Sequence, residues 1–176
     1  MVSRNIQNRN NRGITFSVLL TIMNIDLSLL YPPVRQCAEA VLFACEKAGL
    51  DVYIPATGAV RTAAIQEKIY GKEQFTTHYL GLAVDIQPHL KCKIHEWRDR
   101  FNGWQFWDQL QCEIAVKCGF DSPQSWQLTR DRPHNQKLFG IPEQVLKTMW
   151  YASRGDKEKI WKYIDLHKNL NKGVVV

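Results

Sequence analysis

Residues 76–85 read Thr-Thr-His-Tyr-Leu-Gly-Leu-Ala-Val-Asp, and a second short motif, Asp-Arg-Pro-His, follows at residues 131–134. Together they offer two imidazoles, from His78 and His134, and one carboxylate, from Asp85. These are three protein ligands that a hydrolytic zinc ion uses, because its fourth position must stay open for the water that it activates. The pattern therefore predicts a zinc site.

The spacing within the first motif favours a turn followed by a strand. Residues 82–87 alternate between large apolar side chains and smaller or polar ones, which is the period of a strand with one apolar face. Gly81 takes positive φ without steric cost, so it suits a turn that brings His78 beside Asp85. A helix would also bring positions seven apart onto one face, so the spacing alone does not decide. The residue types Gly81, Val84, Ile86 and Pro88 favour the strand. We expect Asp85 to point away from the core.

The second motif is predicted to be extended or turning. Pro133 fixes its own φ and moves Arg132 out of the helical region. Asp131 then need not bind the metal itself, and its carboxylate is free to orient a water molecule and accept its proton.

The motifs follow one another as Thr76-x-His78-x-x-Gly81-x-Ala83-x-Asp85 and Asp131-x-x-His134, and residues 57–62 read Thr-Gly-Ala-Val-Arg-Thr. This order resembles the zinc DD-peptidase family, which includes D-Ala-D-Ala carboxypeptidases and the L-alanyl-D-glutamate endopeptidases of phage endolysins. The family pattern is S-x-H-x-x-G-x-A-x-D followed by D or E-x-x-H, with an upstream S-G-x-R-[ST] segment. The resemblance covers roughly residues 24–137.

The resemblance implies a role for each matching residue. Zinc would be held by His78, Asp85 and His134, and Asp131 would act as general base and then as general acid. Arg61 would contact the substrate and stabilise the developing oxyanion, and Thr76, where the family has serine, would lie on the substrate side with its hydroxyl retained.

The expected fold class is α+β, with a small antiparallel sheet, flanking helices and a zinc cleft, as in the DD-peptidase and hedgehog-type domains that the resemblance implies. Residues 1–12 are expected to form a flexible basic segment, residues 13–170 a single zinc peptidase domain, and residues 171–176 a tail. The predicted elements are helices at 32–49, 63–70, 104–117, 142–151 and 156–168, and strands at 51–57, at 81–87 and around His134.

Composition limits the partners. The chain has 176 residues with 45% hydrophobic content and a net charge of +6, which suits one ample core and an anionic partner such as peptidoglycan and its associated polymers. Nucleic acid is not expected, because the basic residues are scattered and no zinc-finger or RNA-binding motif is present. We expect a monomer without stable membrane insertion, since the apolar run at residues 14–23 is too short to span a bilayer.

The five cysteines, Cys37, Cys45, Cys92, Cys112 and Cys118, cannot all pair within one chain, and a reducing compartment fits them best. Without a clear signal peptide, the protein is expected in the cytoplasm of the producing cell, acting on the wall after release, with a phage or prophage origin. Three functions stay open: an L-Ala-D-Glu endopeptidase, a D-Ala-D-Ala carboxypeptidase, and a non-catalytic zinc-stabilised module, because a structural metal can supply folding energy without turnover.

Overall fold

The first long element is a helix whose two ends have local causes. In a computed structural model, which describes residues 26–71, 74–88, 108–121 and 133–172, helix α1 spans Pro32–Lys47. A proline suits this start because the first N–H of a helix has no partner within the helix. Gly49, with φ of 71°, follows the end in the left-handed region. The buried face of α1 contains Val34, Cys37, Ala38, Val41 and Cys45.

The remaining helices are close to those that the sequence predicts. Helix α2 spans Ala63–Tyr70, a π-helix spans Asp108–Ala115, and the C-terminal helices α3 and α4 span Glu143–Ala152 and Lys157–Lys172. Two short 3₁₀ helices, Leu27–Leu29 and Thr77–Leu80, were not predicted as separate elements. Of the helix predicted over 104–117, residues 104–107 lie outside the described part of the chain.

The strands are shorter than predicted and form two antiparallel pairs. Strands β1 (Val52–Tyr53) and β3 (Gln87–Pro88) pair with each other, and so do β2 (Ala83–Asp85) and β4 (His134–Gln136). The prediction of one strand over 51–57 is wrong because Pro55 has no N–H for a ladder and its carbonyl accepts a turn bond, 2.7 Å long, from the Gly58 N–H. The mixture of helices with small antiparallel pairings is α+β, as expected.

The core lies between α1, the strands and the C-terminal helices. Leu82, Val84 and Ile86 are fully buried, as expected, but Ala83 is equally buried and Asp85 is only 6% exposed. Both faces of β2 are therefore covered, one by the core and the other by the site described below. Among the described residues, no helix is long and apolar enough to cross a membrane.

Candidate metal centre

His78 lies in the 3₁₀ helix Thr77–Leu80, which we call the histidine turn. The Thr76 hydroxyl accepts a hydrogen bond from the His78 backbone N–H at 3.4 Å, so it caps the start of the turn. Gly81 ends the turn with φ of 65°, and a Cβ at this position would lie 2.9 Å from the Leu29 carbonyl oxygen. Glycine is thus required both by the backbone conformation and by the close approach of the preceding chain.

The pairing of β2 with β4 brings the other two predicted ligands together. Asp85 lies directly opposite His134 in the antiparallel register. The Ile86 N–H donates to the Pro133 carbonyl at 2.8 Å, which extends the connection by one residue. Positions 85 and 134, far apart in sequence, are therefore fixed by backbone hydrogen bonds.

Three donor atoms of these residues form a nearly equilateral triangle. His78 Nε2 lies 3.2 Å from Asp85 Oδ1 and 3.2 Å from His134 Nδ1, and His134 Nδ1 lies 3.4 Å from Asp85 Oδ1. Zinc bonds to nitrogen and oxygen of about 2.0–2.1 Å in a tetrahedral arrangement require ligand atoms about 3.3 Å apart. The spacing of the three atoms fits a tetrahedral metal site.

The outer nitrogen of each imidazole has its own partner. His78 Nδ1 lies 2.7 Å from the Ala59 carbonyl oxygen, which accepts, so this nitrogen carries the proton. His134 Nε2 lies 3.1 Å from Gln136 Oε1, again an acceptor. Both imidazoles are thereby oriented with an unprotonated nitrogen towards Asp85, the arrangement in which histidines bind metals.

Lone pairs therefore converge at the centre of the triangle. Asp85 Oδ1 is buried and accepts no hydrogen bond of acceptable geometry from the described residues, while two ring nitrogens face it. Electron pairs at such distances repel unless a cation or proton lies among them. Since the donors are two imidazoles and a carboxylate, a divalent metal such as zinc satisfies all three atoms at once.

The pKa shifts of Asp85 and His78 agree with metal binding. Burial alone would raise the pKa of Asp85, but in the metal-free protein a proton on the facing nitrogen of His134 or His78, together with the charge of Arg61, outweighs it and holds that pKa well below its usual range. Burial lowers the pKa of His78. A carboxylate and neutral imidazoles are the forms that bind a divalent cation.

Arg61 is part of the same cluster. Its Nη2 forms a buried ion pair with Asp85 Oδ2, and its Nε donates to the Thr57 carbonyl at 2.8 Å. The segment that carries it passes close to β2, because the Asp85 N–H donates to the Gly58 carbonyl at 2.6 Å and a Cβ on Gly58 would lie 3.0 Å from the Asp85 carbonyl oxygen. Arg61 thus holds the second oxygen of the candidate ligand Asp85, a contact that the sequence did not reveal.

A cleft of about 230 Å³ opens beside the histidines. Among the residues that line it are Arg61, Gln66, Thr76 and Glu143. Gln66 is 4% exposed, and its Oε1 has no hydrogen-bond partner within the described ranges. A buried acceptor without a partner costs free energy, and a ligand N–H or O–H in the cleft would satisfy it.

The structure brings together four of the predicted site residues, His78, Asp85, His134 and Arg61, and places Thr76 at the cleft. Asp131, the predicted base, lies outside the described residues. Sequence reasoning missed the contacts of the Ala59 carbonyl, Gln136 and Gln66. A backbone carbonyl leaves no signal in a sequence, whereas Gln136 stands two positions after His134, where a strand returns side chains to the same face.

Comparisons with known proteins add no relative: no family model matches the chain, and no curated protein matches it significantly. The fold and site define an α+β protein with a His-Asp-His group that could hold a metal ion.

Proposed function

We propose that this chain is a zinc-dependent peptidoglycan hydrolase that cuts the L-Ala-D-Glu bond of the stem peptide. The observation that carries the proposal is the convergence of three donor atoms at tetrahedral spacing, 3.2 to 3.4 Å apart, beside a cleft that His78 and His134 line. Among the described residues this group offers three protein ligands, which would leave a fourth position for chemistry, as is typical of catalytic rather than structural zinc. The choice of bond rests on the Asp-x-Pro-His motif and the resemblance that it carries.

His78, Asp85 and His134 would hold the zinc ion. The bound ion would supply Lewis acidity, which lowers the pKa of water to about 7 and polarises a carbonyl group. Asp131 is proposed to take the proton from the attacking water and to give it to the leaving amine as the C–N bond breaks. The products are a free carboxylate and a free amine, so the reaction needs no other reactant than water.

Residues of the cleft would orient the peptide. Gln66 Oε1 is a buried acceptor without a hydrogen-bond donor among the described residues, and a peptide N–H of the substrate would supply one. Arg61 already neutralises Asp85, and its guanidinium also borders the cleft, where it is proposed to stabilise negative charge on the carbonyl oxygen. Glu143 adds a carboxylate at the start of α3. The net charge of +6 favours approach to an anionic wall after the protein leaves the producing cell.

The test is mass spectrometry of purified peptidoglycan incubated with the protein, with and without a zinc chelator. We expect chelator-sensitive release of peptides that begin at D-Glu. Release of a single terminal D-Ala would instead establish a carboxypeptidase, and the absence of any new product from several wall types would favour a non-catalytic module.

The base is tested by Asp131→Asn, which keeps the size of the side chain and removes its basicity. This variant is expected to bind zinc as the wild type does but to release no peptide. Retained activity in this variant would mean that another group, such as Glu143, accepts the proton. Glu143→Gln is the matched variant, with the same chemical change elsewhere in the cleft.

A further inference from the structure

The C-terminal helices contact the histidine turn directly. Trp161 of α4 donates its Nε1–H to the Leu80 carbonyl at 2.6 Å. Leu80 is fully buried, and the last carbonyls of a short helix find no partner within it. The indole therefore provides a hydrogen bond that bulk water cannot provide at this position.

The residue between His78 and Leu80 is held by the other C-terminal helix. Tyr79 is 3% exposed, and its ring stacks on Trp150 of α3 with centroids 5.2 Å apart and an interplanar angle of 27°. The two residues that follow His78 in the turn are therefore both held by the C-terminal helices, Tyr79 by α3 and Leu80 by α4. Because the turn is a single turn of 3₁₀ helix, a shift at Tyr79 or Leu80 also moves the imidazole of His78.

Trp161 is itself firmly placed. Its ring lies 5.4 Å from the ring of Tyr31, and Lys157 Nζ lies 4.8 Å from the centroid of the indole. Its helix neighbours Ile160 and Ile164 are fully buried. A side chain that packing fixes in this way can hold a metal-ligand loop within a few tenths of an ångström.

We propose that Trp161 is a positioning residue for the metal centre, acting through the Leu80 carbonyl on the orientation of His78. The inference rests on the proposed metal site but not on any hydrolytic activity. Loss of a group that touches a ligand directly costs about 10- to 100-fold in metal affinity, and an effect relayed through two backbone residues should be smaller, about 3- to 10-fold.

The test is Trp161→Phe, which keeps an aromatic ring and removes the N–H donor. Its matched control is Tyr163→Phe, which likewise keeps an aromatic ring and removes a polar group, here a hydroxyl, from the same helix at a residue that is 37% exposed. Zinc affinity is measured by competition with a fluorescent chelator, and ligand geometry by the visible absorption of the Co²⁺-loaded protein. Both variants are compared at a temperature where circular dichroism shows them folded.

We expect Trp161→Phe to weaken zinc binding and to change the cobalt spectrum, with Tyr163→Phe like the wild type. A purely structural role for Trp161 would lower the unfolding midpoint but leave affinity and spectrum unchanged, and this result would overturn the inference while the metal site stands. If the wild type bound no zinc or cobalt, the metal site and the inference would both fail. Should Trp161→Phe not fold, Trp150→Phe, which weakens the stack on Tyr79, is expected to show the same direction of change.

Discussion

Replacing Gln136 with leucine removes the acceptor that orients His134. Gln136 is 4% exposed, and its Oε1 lies 3.1 Å from His134 Nε2. Loss of such a partner typically weakens metal binding by about 10- to 100-fold, or about 1.4 to 2.7 kcal/mol. The Thr77 hydroxyl, 3.5 Å from the same nitrogen, offers a poorer substitute acceptor, so we expect an effect near the lower limit, about tenfold.

The assay is chelator competition for zinc, with urea unfolding of the metal-free protein alongside it. Gln144→Leu is the matched control, because Gln144 is exposed on α3. In the metal-free protein, Gln136→Leu also leaves an imidazole N–H with a weaker acceptor, which should cost about 1 kcal/mol of unfolding free energy. Equal zinc affinity in the two folded variants would refute the view that Gln136 sets the tautomer of His134.

Two further predictions concern charge. Arg61→Ala should keep stoichiometric zinc but slow turnover by about 100-fold or more. It should also destabilise the metal-free protein, because the buried Asp85 loses the guanidinium that pairs with it. Unchanged kinetics on peptidoglycan fragments would exclude a role for Arg61 in stabilising the carbonyl oxygen. Because burial lowers the pKa of His78 in the folded chain, protons bind the unfolded chain more readily. The metal-free protein should therefore lose stability as pH falls below about 6.5, and Asp85 should add a further loss only at more acidic pH. The measurement is the urea midpoint in the presence of EDTA between about pH 7.5 and about pH 5.5, the range in which histidine titrates. A constant midpoint over this range would contradict the prediction.

The sequence predicts the candidate ligand group, His78, Asp85 and His134, because its chemistry is carried by side chains. The glycine at position 81 predicts a turn, and because this restriction acts locally the turn is present in the structure. The proline at position 133 predicts an extended or turning approach to His134, and residues 131 and 132 of that approach lie outside the described part of the chain. The helices Pro32–Lys47 and Ala63–Tyr70 were accessible for the same reason, since the residues at their ends carry the local signals: Pro32 and Gly49 for the first, Thr62 and Gly71 for the second.

The supporting contacts were not accessible because they join segments distant in sequence. The Ala59 carbonyl reaches His78 across 19 positions, and Trp161 reaches the Leu80 carbonyl across 81. The carbonyl partners carry no side-chain signal, and apolar periodicity does not distinguish a core tryptophan from one that also donates a hydrogen bond. The burial of both faces of β2 depends on the segment containing Arg61 folding over it, which alternation within 82–87 cannot predict.

The central claim is that His78, Asp85 and His134 hold one zinc ion. Native mass spectrometry of the wild-type protein and of His134→Ala, each loaded with zinc and freed of excess metal, tests it most directly. We predict one zinc ion per wild-type chain and none retained by the variant. Equal zinc content in the two proteins would remove His134 from the ligand set and contradict the account.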